Sequence, residues 1–216
     1  WQDLAQRITA TQDQLASQQR TLERQQAQLV TAQQDREQAV AKLNQSIASK
    51  GEQLKQLEQD RKELEAVLKA IEKAVAEMAV PKDYQPFKSA KGKLSWPVSG
   101  KRSNNFGRPR NEGKMRWQGV TIPAKGGTTV TAIHHGRVVY ADWLRGSGLL
   151  MIIDHGDGYM SLYAHNQSLQ RDVGEWVVAG NPISTVGNSG GQEQTALYFE
   201  IRHQGKPVNP AGWCKG

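Results

Sequence analysis

The hydrophobic positions follow two rhythms that change near residue 81. Over 1–80, Ile8, Leu15, Leu22, Leu29 and Leu43 recur every seven residues, with Arg36 in the one gap. The alternate positions between them (Thr11, Gln18, Gln25, Ala32, Ala39) are polar or small. A second seam runs through Ile47, Leu54, Leu57, Leu64, Leu68, Ile71, Val75 and Met78, with Arg61 as its exception. Steps of three and four residues predict helix, and a sustained heptad calls for a partner helix. That partner can be a second copy, another stretch of a longer protein, or the second half folding back. The seams are joined by two four-residue steps, a stutter that locally unwinds a supercoil. Gly51 lies close by and costs about 1 kcal/mol relative to Ala in a helix, so 44–51 is a candidate break. A helix of ~40 residues reaches ~60 Å at 1.5 Å per residue and can act as an arm or a spacer. Pro81 ends it. Residues 81–95 (PKDYQPFKSAKGKLS) mix Pro, Lys, Ser and Gly and read as a linker.

From Trp96 onward the period is two. Strands are predicted at 119–122, 128–133, 136–142, 148–154, 159–164, 182–186 and 195–203, separated by Gly-rich turns. Many short strands at even spacing suggest an all-β sandwich or barrel. The fold class is therefore α plus all-β: a coiled-coil arm over 1–80, a linker over 81–95 and a β domain over 96–216. In 195–203, alternation places Leu197, Phe199 and Ile201 toward the core and Ala196, Tyr198, Glu200 and Arg202 outward.

Composition sharpens the division. Of 21 Gly and 8 Pro, only Gly51 falls before residue 81. Residues 1–80 carry 16 Gln and a net charge of −1, whereas 81–216 carry +8. The basic residues are scattered, and no RNP, helix-turn-helix or zinc-finger pattern appears, so nucleic acid is not an expected partner. A positive surface also suits an anionic cell wall or an acidic protein. The longest apolar run, Leu149 to Ile153, is far short of the ~20 residues of a membrane span. The single cysteine, Cys214, excludes an internal disulfide and is expected to be an inert, partly buried thiol. The chain begins at Trp1 without a charged and apolar leader, so a signal peptide is expected to be absent or removed.

Four blocks in order, RWQGVTIPAKGGTTVTAIHHGRVVYADW, GLLMIIDHGDGYMSLYAHN, VGEWVVAGNPISTVGNSG and ALYFEIRHQGKPVNPAGW, resemble a LytM-type domain of the lysostaphin-like zinc endopeptidases over 96–213. Active members hold zinc through His-x-x-x-Asp and the second His of His-x-His. Carried onto this sequence, those ligand positions are Trp117, Thr121 and Tyr198, with Ala196 at the first His of the second motif. His165, in Y-A-H-N, matches a catalytic histidine that is not a ligand. Catalytic zinc needs three His, Cys or carboxylate ligands. Trp offers no lone pair, and Thr and Tyr are uncommon ligands. No metal or other cofactor and no enzymatic activity are therefore expected.

A coiled coil followed by a LytM domain without its ligands resembles the activators of murein hydrolases. The resemblance implies a non-catalytic activator of periplasmic N-acetylmuramoyl-L-alanine amidases that split septal peptidoglycan in Gram-negative cell division. It also implies that the coiled coil docks onto FtsX of the FtsEX complex, through a part that can be missing from a chain this short. The lost zinc site is expected to survive as a partner-binding groove. Trp117, Thr121, His165 and Tyr198 would form its floor. Arg116, Gln118, Arg202 and the loop from Trp143 to Gly148, including Ser147, would form its rim. Trp, Tyr and Arg are the types enriched at binding hot spots. An amidase helix could lie in such a groove. The amphipathic run 62–80, tethered just upstream, could occupy it in cis as an inhibitory arm. The alternatives are a zinc endopeptidase acting on peptidoglycan and a peptidoglycan-binding module that activates nothing.

Overall fold

A computed structural model describes the backbone of residues 2–75, 85–103, 106–110 and 114–215, with side chains from residue 15 on except 16, 17, 27, 30 and 33. The helix end expected at Pro81 and residues 76–80 of the candidate inhibitory arm lie outside the described residues. The chain divides into two units, Trp1–Lys55 and Gln56–Gly216.

The first unit is helix. Helix α1 spans Gln2–Val75 and passes through 44–51 without interruption, so the expected break does not occur. Gly51 has no atom within 4 Å of where a Cβ would sit. Its cost is the intrinsic ~1 kcal/mol, which a long helix absorbs. Leu15, Leu22, Leu29 and Leu43 of the first seam and Ile47 of the second are all more than half exposed, so this stretch presents a solvent-facing apolar stripe.

The second unit joins residues 56–75 of α1 to the β domain. A two-stranded hairpin, β1 (Pro109–Arg110) and β2 (Met115–Arg116), precedes the main sheet. The sheet contains β3 (Val120–Pro123), β4 (Thr129–Thr131), β5 (Gly136–Leu144), β6 (Gly148–Asp154), β7 (Tyr159–Leu169), β8 (Trp176–Val177), β9 (Pro182–Val186), β10 (Ala196–His203) and β11 (Lys206–Val208). These nine strands run antiparallel in the order β11-β10-β7-β6-β5-β8, with β3 on β10 and β9 joining β7 to β4. All seven strands expected from alternation are present. β1, β2, β8 and β11 are two or three residues long, too short for a period-two signal.

Both faces of the central strands are covered. One face packs Val120, Ile122, Met151, Tyr163, Leu197, Phe199 and Ile201 into the main core. On the other, Leu144, Leu150, Ile152, Met160, Leu162 and Ala164 pack against Leu68 and Ile71 of α1, with Leu64, Val67 and Val75 at the margin. Burial on both faces explains why Leu149–Ile153 reads as a continuous apolar run rather than an alternating one. It also corrects the expected outward face of β10. Ala196, Glu200 and Arg202 are buried and Tyr198 is half-buried, because alternation in one strand does not reveal that a second layer covers its far side.

The second half of the expected linker is structural. Residues Phe87–Ala90 form a 3-10 helix. Phe87 is fully buried among His134, His155, Tyr159 and Trp213. Leu94 bridges to Cys214. The short spacing of Phe87 and Leu94 among polar residues hid two core side chains.

Candidate functional site

The site is assembled from β3, β7, β10 and the loops beside them. Register places Tyr198 opposite Thr121 on one side and Ala164 on the other. This closeness depends on Gly119, where a Cβ would lie 2.4 Å from the Phe199 carbonyl oxygen. Trp117 precedes β3. Its N–H donates to the Arg108 carbonyl at 3.1 Å, and its carbonyl accepts from Gly107 N–H at 2.8 Å.

His165 follows Ala164 in a left-handed conformation, φ 65°. It lies beside register shifts of β7 against β6 and β9. A non-glycine residue held there costs about 1–3 kcal/mol, a strain that clusters at functional sites. Its N–H donates to the Ser147 carbonyl at 2.9 Å, and its Nδ1 faces the Ser189 carbonyl at 3.0 Å. A carbonyl can only accept, so Nδ1 carries the proton and Nε2 keeps a lone pair. Burial, with the charge of Arg110, holds the imidazole pKa below its usual value. The ring centre is 6.0 Å from that of Tyr198.

The Tyr198 hydroxyl is not left open. Its hydroxyl donates to Glu200 Oε1 at 2.7 Å, and Arg202 Nε donates to Glu200 Oε2 at 2.8 Å. The Arg202 guanidinium also reaches the Gln118 side-chain oxygen at 2.8 Å and the Gly205 carbonyl at 3.0 Å. Arg202 is 3% exposed. The expectation that it stands on the rim is therefore corrected: every donor it uses is turned inward, to a buried carboxylate and its neighbours. Gln118 belongs to the same network.

The remaining expected residues are dispersed. Arg116 is exposed and donates to the Gly107 carbonyl at 2.7 Å. Trp143 is 54% exposed near the end of β5, and Ser147 sits at the β5–β6 turn against His165. Within that turn Arg145 binds α1, with Nε 2.8 Å from Asp60 and a terminal nitrogen 3.4 Å from Glu63. Residues 60–75 thus cover the sheet face on which Tyr198 lies at the margin of the apolar cluster. Sequence reasoning missed Arg110. Its guanidinium lies 4.2 Å over the Trp117 ring, and its charge acts on both His165 and Tyr198. Hairpin β1–β2 is too short to have signalled it.

These residues do not fit a metal. The positions that the resemblance gives as ligands carry an indole, a threonine hydroxyl and a phenol. Burial, then the Glu200 carboxylate, pushes the Tyr198 phenol well above its usual pKa, so it stays protonated. Among the described residues no group of three His, Cys, Asp or Glu side chains is placed to hold a metal ion. Two histidines beside the main core, His134 and His155, are buried. His155 is fully buried, with Nδ1 2.8 Å from the His135 carbonyl and Nε2 2.7 Å from Ser161 Oγ. The rings of His134 and His135 lie 3.9 Å apart, tilted by 37°.

The model of peptidase family M23 matches residues 115–210. The chain is 50% identical over 123 residues to the murein hydrolase activator EnvC of Escherichia coli, covering 57% of this chain and 29% of that protein. It is 44% identical over 116 residues to the murein hydrolase activator NlpD of Salmonella typhimurium, covering 53% of this chain and 29% of that one. The aligned part thus spans under a third of either relative. A solved putative M23 peptidase of Pseudomonas aeruginosa shares the fold, with a TM-score of 0.53 at 21% identity over 75% of this chain and 63% of that one. In sequence and in fold, the β domain of this chain is thus similar to peptidase family M23.

Proposed function

We propose that this chain is a non-catalytic activator of a periplasmic N-acetylmuramoyl-L-alanine amidase in septal peptidoglycan splitting, acting through the groove at the lost zinc site. The observation that carries this reading is Tyr198. At a ligand position it is neutral and hydrogen-bonded to Glu200 within a buried Glu200–Arg202–Gln118 network. Such a site can hold a shape but cannot activate water. The names of the relatives, murein hydrolase activators, support the same direction.

The occupant of the groove would be a helix. Leu150, Ile152, Met160 and Leu162 form an apolar sheet face that α1 covers through Leu68 and Ile71. Bare release of α1 would expose a large apolar patch, which soluble proteins avoid. Exchange for a partner helix keeps the face covered. Residues 62–75 would therefore act as an inhibitory arm, displaced when the coiled coil is engaged by FtsX in the envelope. Trp117, Thr121, Trp143, Ser147 and His165 remain the proposed contact residues, joined now by Arg110 and Arg145.

The test is dye release from labelled cell wall by this chain alone, a periplasmic amidase alone, and both together. The expected result is no release by the chain alone and faster release by the pair than by the amidase. Release by the chain alone would restore the endopeptidase reading. Retention on the wall without stimulation would leave only a peptidoglycan-binding module.

A further inference from the structure

A cleft lies at the opposite end of the same strands. His203 is five residues beyond Tyr198 on β10, about 17 Å along the strand, and Tyr159 opens β7 six residues before His165. Between them is a cleft of about 360 Å³ lined by Lys91, Tyr159, His203, Asn209 and Trp213 among others. That volume lies at the small end of the range for small-molecule sites.

The floor is preformed. Phe87, fully buried, holds Tyr159 and Trp213 at ring separations of 5.1 and 4.9 Å. Tyr159 stacks on His203 at 4.1 Å and meets Trp213 edge-on at 5.1 Å. The mouth carries donors. The Lys91 ammonium lies 5.6 Å from the Trp213 ring centre. Asn209 Oδ1 is committed to the Ala211 N–H at 3.1 Å, so what Asn209 can offer a ligand is its amide N–H2. Among the described residues no carboxylate lines the cleft. Rings below and donors at the rim suit a ligand with an apolar ring face, a carbonyl and an anionic oxygen.

We propose that this cleft binds an N-acetylated amino sugar with a free lactyl carboxylate. The sugar ring would lie against the aromatic floor, its carboxylate on Lys91 and its acetamido carbonyl on the Asn209 amide. In an intact murein strand that carboxyl is tied up as an amide to the stem peptide. Hydrolysis by an amidase breaks the C–N bond with one water, leaving the carboxylate on the glycan and the amine on the released peptide. The cleft would therefore read the product strand. For the origin of its ligand this inference rests on the activator reading. It places partner binding at one end of the sheet and stripped glycan at the other, holding the activator on wall already being opened.

The test titrates the full chain with N-acetylmuramic acid and, in parallel, N-acetylglucosamine, which lacks the lactyl group, followed by calorimetry and by NMR of the Trp213 indole N–H. The acid should bind about tenfold tighter, as expected for a charge-assisted contact, and shift the Trp213 signal. Lys91→Glu and Asn209→Asp should each lose about tenfold in affinity for the acid. Asn209→Asp keeps the capping oxygen, so its melting temperature should be unchanged. Equal affinity for the two sugars, indifference to Lys91→Glu, or signals moving at His165 instead of Trp213 would each overturn the assignment. Cosedimentation extends it to the wall: more chain should be retained on amidase-digested sacculi than on intact ones, and equal retention overturns the product-strand reading. A Lys91→Glu chain that loses sugar binding yet still stimulates an amidase leaves the activator reading standing. Sugar binding without any stimulation by the unaltered chain removes that reading and leaves the cleft.

Discussion

Tyr198 donates its phenolic proton to Glu200 at 2.7 Å while Arg202 holds the other oxygen of the same carboxylate at 2.8 Å. Three alternate residues of one strand thus form a closed unit on the face where a metal site would need open ligands. Glu200 and Arg202 are 1% and 3% exposed, so the unit is supported by mutual pairing rather than by water. Removing one partner of a buried ion pair leaves the other charge uncompensated and costs about 3–5 kcal/mol. Arg202→Ala should lower the urea midpoint accordingly. Glu200→Gln combined with Arg202→Met should recover most of the loss. An Arg202→Ala midpoint equal to the unaltered chain would show that the pair is not buried in solution.

Arg145 fastens α1 to the β5–β6 turn through Asp60 and Glu63. Arg145 and Glu63 are half exposed, and such pairs contribute about 0.2–1 kcal/mol each. Arg145→Glu should raise hydrogen exchange of amides 60–75 about fivefold, the effect of roughly 1 kcal/mol. Asp60→Lys with Glu63→Lys in the same chain should reverse it. If exchange stays slow in Arg145→Glu, the turn does not hold the helix.

Leu68, 2% exposed between α1 and the sheet, should matter more. Leu68→Ala should weaken docking of the helix by about 2–5 kcal/mol, the usual cost of truncating a buried leucine. In the dye-release assay this variant should stimulate an amidase more strongly than the unaltered chain. Weaker stimulation would mean that α1 supports the groove and does not block it.

Acid should destabilise the β domain through two histidines. Burial lowers the pKa of His155 to about 3 and that of His134 to about 4, from 6.5. Between those values and 6.5 the unfolded chain binds protons that the folded chain does not, so stability rises with pH across that window. The melting temperature should be flat above about pH 7 and fall steadily toward pH 4. His155→Gln should be less stable at neutral pH but show a shallower fall. A profile unchanged by that substitution would place the titrating groups elsewhere.

Cys214 is 4% exposed, and burial pushes its thiol up to about 12. The thiolate is the reactive form, so the native chain should react negligibly with a disulfide reagent at pH 8 and fully in urea. Rapid labelling of the native chain would show that the C-terminal segment opens.

The pattern of residues had already located much of this. The strand pattern and the Gly-rich turns between its segments located every strand of four or more residues, as with Leu197, Phe199 and Ile201 on β10. Heptad spacing located α1 and the stripe from Leu15 to Ile47. Trp117, Thr121 and Tyr198 were visible as residue types, at positions where the resemblance implies ligands. Register then brought Thr121 beside Tyr198 from strands more than seventy residues apart. Phe87 and Leu94 were read as linker because isolated apolar residues carry no period.

What local pattern could not carry was the second layer. Whether Glu200 and Arg202 face water depends on what lies above β10, and that is decided by contacts across the chain. Arg110 over Trp117, Arg145 on Asp60, and Lys91 beside Trp213 are likewise meetings of residues whose separation in sequence bears no relation to their separation in space. The sequence by itself determined the long helix, the seven longer strands and the residue types at 117, 121 and 198, since backbone preference and side-chain chemistry are local. The tertiary structure alone decided which charges are buried and paired and where the cleft beside Trp213 lies, since burial is a property of the packed layers.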